Sequence, residues 1–84
     1  MELLGRHPGT TQLLGFFAYD HLPPFLQAVS SPCHDLAFDM VTTLPDGPEL
    51  TAGLRKLIEA KDCFVRQALV AKQAGAAEMT PAER

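Results

Sequence analysis

ELTAGLRKLIEAKDCFVRQALVAK, running from Glu49 to Lys72, is the longest uninterrupted helical pattern in the 84-residue chain. Leu50, Leu54, Leu57, Phe64, Ala68 and Ala71 follow alternating steps of four and three, the spacing of one helix face packed on a partner. The step between Leu57 and Phe64 falls on Lys61. A lysine there either lays its stem on the apolar seam and sends its ammonium to solvent, or holds a cation ready for an anion.

Working upstream, Pro45-Asp46-Gly47-Pro48 is a turn signal. Pro48 suits the first helical position, with Asp46 or Gly47 as its cap. Before the turn, Leu22, Leu26, Val29, Cys33, Leu36 and Met40 repeat the same heptad steps. They predict a second helix that opens at Pro23-Pro24 and stops near Thr43–Leu44. Pro32 lies inside it and predicts a kink over Gln27–Val29, because its ring opposes the carbonyl four residues back. Folded about the turn, Met40 lies level with Leu54, Leu36 with Leu57 and Cys33 with Lys61. Further upstream, Thr10 is a candidate N-cap for a short helix through Leu13, Leu14, Phe16 and Phe17, ending near Tyr19-Asp20-His21.

The predicted fold is therefore all-α: a short N-terminal helix plus a long antiparallel αα-hairpin with a proline-kinked first arm. Residues 1–9 read as a flexible N-terminus, 10–73 as the hairpin domain and 74–84 (AGAAEMTPAER) as a disordered tail. Phe38 and the row Ile58/Val65 fall off the two-helix seam and predict cover by another chain. A chain this short buries a limited core, so a homo-oligomer is expected.

Composition narrows the function classes. Two cysteines, Cys33 and Cys63, without a secretory signal read as reduced thiols in a cytoplasmic protein. No stretch approaches the ~20 apolar residues of a membrane span. A net charge of -3 argues against duplex DNA. Residues 1–47 carry one basic group, Arg6, against five acids, whereas Arg55, Lys56, Lys61, Arg66 and Lys72 cluster in the last helix. A local basic patch on an acidic protein suits a small anionic ligand. Glu59 and Asp62, each four residues from an arginine, account for part of that pattern as ordinary surface pairs.

Tyr19 is the single tyrosine and sits at a helix–helix break. Its ring either closes the core or stacks on a nucleobase. His34 is a solvated histidine or a contact to a base or phosphate. Cys33-His34-Asp35 crowds metal-type donors, but neighbours on a helix point roughly 100° apart, and Cys63, His7 and His21 sit at no zinc spacing. No partner at a suitable spacing orients a cysteine nucleophile, and the glycines form no phosphate loop. The expectation is a non-enzyme with no metal and no cofactor.

AYDHLPPFLQ, SPCHDLA and LRKLIEAKDCFVRQAL together resemble the small phage-encoded hairpin domain of anti-CBASS and anti-Thoeris sponge proteins. That family carries a Gly-Tyr-basic-x-Leu motif, a helix, a turn and a second helix with an Ala-basic step. The resemblance covers residues 15 to about 70. It implies a multimer, commonly a hexamer, that sequesters cyclic-oligonucleotide or cyclic ADP-ribose immune signals between protomers without cleaving them. By position, Tyr19 matches the tyrosine that packs on a ligand base, and His34, fifteen residues on, falls where a phosphate-contacting lysine sits. Ala60-Lys61 falls on the Ala-basic step, and Arg66 extends the basic set. The chain departs from the motif at Ala18 (for glycine), Asp20 (for the basic residue) and His34 (for lysine). An aspartate beside the ligand tyrosine disfavours a diphosphate unless it faces a base or ribose edge. The competing expectation is an oligomeric helical protein-interaction module, a phage scaffold or adaptor, using exposed apolar rows.

Overall fold

The computed structural model describes residues 5–76. Three helices and no strand occur among them: α1 (Pro8–Gly15), α2 (Pro24–Thr43) and α3 (Pro48–Ala76). The longest, α3, has 29 residues, roughly 44 Å at 1.5 Å per residue. It gives the protein its elongated form, 50 × 23 × 16 Å. The radius of gyration is 15.3 Å, against about 12 Å for a compact chain of this length.

All three helices begin with a proline. Pro8, Pro24 and Pro48 each occupy the first helical position, where φ is already set and the missing N–H is no loss. For α1 this moves the start upstream of expectation. His7 is the N-cap, its imidazole Nδ1 accepting from the Gly9 N–H at 2.9 Å. Thr10 lies within the first turn, fully buried, and is not the cap. The helix also ends early, at Gly15, with Phe16 as C-cap.

Of the two cap candidates for α3, Gly47 stands at the start, its carbonyl accepting from the Thr51 N–H at 3.2 Å. The Asp46 carboxylate reaches back to the N-terminal segment. It accepts from Arg6 Nε at 3.0 Å, from the His7 N–H at 2.7 Å and from Thr10 Oγ1 at 3.1 Å. Arg6 also donates to the carbonyls of Val41 at 2.6 Å and Leu44 at 2.9 Å. Those carbonyls belong to the last turn of α2, where the ladder leaves acceptors without donors. Within the expected flexible N-terminus, Arg6 to Gly9 are thus held by cap and clasp. Residues 1–4 and 77–84, which take in most of the expected tail, lie outside the described residues. Ala74 to Ala76 continue α3.

α2 runs unbroken through Pro32. The proline ring leaves the Ala28 carbonyl without its helical donor, and Ala28 is exposed, so water can satisfy it.

The core lies where α1 crosses α2 and α3: Leu13, Leu14, Phe17, Cys33, Ala37, Val41, Leu50 and Leu54. Phe17, Ala37 and Val41 are completely buried. This corrects the expected seam. α2 buries Leu26, Ser30, Cys33, Ala37 and Val41, whereas Leu36 and Met40 stay 46% and 37% exposed. On α3, Leu50 and Leu54 are buried but Phe64 is 55% exposed. The physical cause is α1. Phe17, just past its C-cap, is fully buried in one cluster with Ala37 and Val41, and α2 turns that stripe inward to it. Phe38 and Ile58 are half-buried against this core; the uncovered apolar surface lies on the opposite side of the α2–α3 pair.

That surface is a groove of ≈ 400 Å³ walled chiefly by Leu36, Met40, Leu44, Gly53 and Leu57. Glu49 is the one charged residue lining it among the described residues. No helix among the described residues is long and apolar enough to cross a membrane.

Candidate functional site

Lys61 resolves its own ambiguity by its partner. Nζ donates to the carbonyl of Phe16 at 2.5 Å, the C-cap carbonyl of α1. It lies 5.6 Å from the centroid of the Phe17 ring and 3.8 Å from Asp62. The side chain is 14% exposed. α1 therefore meets an anion, Asp46, at its N-terminus and a cation, Lys61, at its C-terminus. Both signs complement the helix dipole, each at about 0.3–1 kcal/mol.

Beside Lys61, burial pushes the Cys33 thiol above its ordinary range, and the lysine charge opposes part of that shift. Cys33 Sγ donates to the Val29 carbonyl at 3.6 Å, a contact that fixes a core thiol. Cys63 is exposed, with the Arg66 guanidinium 3.3 Å from its sulfur.

Tyr19 and His34 do come together. The α1–α2 connection folds so that the Tyr19 ring meets His34 edge-on, with centroids 5.0 Å apart and planes at 73°. His34 in turn lies 4.4 Å from Phe38, one helical turn along α2. The connection is tightly held. Leu22 N–H donates to the Tyr19 carbonyl at 3.0 Å, and Gln27 Nε2 donates to the carbonyls of Leu22 at 2.7 Å and Asp20 at 3.4 Å. These rings form one wall of an open cleft of ≈ 330 Å³, completed by Gly15, Ala18 and Asp20. Thr11 contributes from α1. Ligand pockets run from about 300 to 1,000 Å³, so this cleft is large enough for one flat ring system.

Asp35 Oδ1 lies 3.0 Å from His34 Nδ1. A carboxylate only accepts, so Nδ1 is the donor of this contact.

The four residues named from sequence thus separate into a pair and two singles. Tyr19 and His34 share a cleft, Lys61 caps α1, and Arg66 lies on the exposed face of α3. Phe38 and Thr11 were missed as cleft residues. Phe38 had a readable signal, standing four residues after His34 on one helix face. Thr11 had none.

No protein-family model matches the chain, and neither a curated protein nor a solved structure is detectably similar to it. Among the described residues no group of three or more His, Cys, Asp or Glu is placed to hold a metal ion.

Proposed function

We propose that the chain is the subunit of a homo-oligomeric helical hairpin that sequesters a cyclic nucleotide signal in the cytoplasm without cleaving it. The observation that carries this reading is the Tyr19–His34 pair, 5.0 Å apart on the wall of an open aromatic cleft. Rings in this arrangement suit a nucleobase, whose flat face gains about 1–3 kcal/mol on an aromatic platform.

Size supports the oligomer. A cleft of ≈ 330 Å³ takes one base, and a cyclic dinucleotide has two. A two-fold ligand is matched by two equivalent clefts related by a two-fold axis. The groove of Leu36, Met40, Leu44 and Leu57, nearly free of charge, is the surface a second copy covers, since homodimer interfaces are more apolar than other surfaces. Among the described residues the cleft is lined by no lysine or arginine. In this reading the phosphates meet the exposed Arg55, Lys56 and Arg66 of a neighbouring protomer.

The same groove favours a second reading, a helical adaptor that docks another protein there. Titration of refolded, nucleotide-free protein with cyclic di- and trinucleotides and cyclic ADP-ribose isomers separates the two. The sponge reading expects tight binding by at least one of them and its loss in Tyr19→Ala with the oligomer intact. Absence of binding across the panel rejects it in favour of the adaptor.

A further inference from the structure

The Tyr19–His34 cleft sets a carboxylate-bearing residue beside aromatic rings. Asp20 is among its lining residues, and a carboxylate offers only acceptors. No side-chain hydrogen bond or ion pair engages that carboxylate among the described residues; the Gln27 contact goes to the Asp20 main-chain carbonyl. His34 Nδ1 is held by Asp35 at 3.0 Å, and the Thr11 hydroxyl donates to the Pro8 carbonyl at 3.0 Å, so neither of these donor groups is left free. Among the described residues no lysine or arginine lines the cleft.

An anion fits badly into such a lining, and so does adenine. The Watson–Crick edge of adenine presents a ring-nitrogen lone pair beside its amino group, and that lone pair opposes a carboxylate. Guanine presents two adjacent donors there, the ring N1–H and the exocyclic 2-amino group. A carboxylate accepts both in parallel, and bonds to an ionised acceptor are roughly twice as strong as neutral ones. We propose that the cleft is a guanine-selective subsite, in which Asp20 accepts from N1–H and the 2-amino group while Tyr19, His34 and Phe38 pack on the ring. This rests on the cyclic nucleotide reading above and narrows it to guanine-containing signals. It also gives a role to the aspartate that stands next to the tyrosine where a basic residue would suit a diphosphate.

The test is calorimetric titration of the refolded full chain with cyclic di-GMP and cyclic di-AMP, for the unaltered protein and Asp20→Asn. Asparagine keeps the shape and replaces one acceptor with a donor. Because Asp20 is exposed, the circular dichroism spectrum and melting midpoint of the variant are expected to match those of the parent. The expected result is that cyclic di-GMP binds at least 100-fold more tightly than cyclic di-AMP, and that Asp20→Asn removes most of this preference by weakening the guanine ligand alone. Equal affinity for the two ligands, tighter binding of cyclic di-AMP, or a preference that Asp20→Asn leaves unchanged overturns guanine selection while the sequestration reading stands. Binding of neither ligand or of any other cyclic nucleotide overturns both.

Discussion

Lys61 shows how one side chain decides between two accounts of a helix. As an unpaired seam cation it would be free for a ligand; as found, it closes α1 by donating to the Phe16 carbonyl. Lys61→Met keeps the apolar stem and removes the donor. It is expected to cost about 1.5–3 kcal/mol, the range for a hydrogen bond to a charged group, measured by urea unfolding. An unchanged midpoint would show that the cap carries no stability. Asp46 makes a second prediction. Hydrogen bonds from Arg6 and from the His7 N–H hold its carboxyl below the ordinary aspartate range. A carboxyl lowered in the folded state adds stability above its unfolded pKa, about 3.9, and that contribution fades as pH falls through the lower folded value. Asp46→Asn should therefore flatten the acid limb of stability against pH while leaving its shape above pH ~5 unchanged. An identical acid limb in the variant would contradict the clasp. Neither role was readable in the sequence. The partner of Lys61 is a main-chain carbonyl 45 residues away, and Arg6 lies 40 residues from Asp46; only the fold brings them together.

At the scale of elements, α1 starts at Pro8, upstream of the expected Thr10 cap, whereas the three helices and the proline starts of α2 and α3 were legible because proline and turn chemistry act locally. The burial stripe of α2 was not. Leu36/Met40 and Ala37/Val41 are adjacent apolar stripes, and a 3.6-residue period cannot choose between them. The choice is made by α1 and by Phe17 just past its C-cap, which is buried in one cluster with Ala37 and Val41. The neighbouring phenylalanines make this testable. Phe17 is fully buried and Phe16 is 55% exposed. Phe17→Ala should cost about 3–5 kcal/mol, enough to abolish a cooperative melt in a chain of this size. Phe16→Ala should stay within about 0.5 kcal/mol of the parent. Equal effects in thermal circular dichroism would place α1 wrongly. Tyr19 and His34 were each named from their positions, while the cleft they share with Phe38 was not legible, because it depends on how the α1–α2 connection folds back onto α2.

Among the described residues, the protein is a helix pair covered on one face by α1 and open on the other. An apolar groove of ≈ 400 Å³ along that face is the basis for expecting self-association. Replacing Leu36 and Met40 together by lysine places like charges there and should shift sedimentation velocity toward the monomer. A parent already monomeric at tens of micromolar would remove the two-cleft geometry. The central claim is capture without turnover, and one measurement addresses it directly. The protein is loaded with labelled cyclic di-GMP, freed of unbound ligand by gel filtration, denatured by heat, and the released material is identified by mass. The account predicts intact cyclic dinucleotide at one molecule per two chains. A linearised product, or no ligand retained, would contradict it.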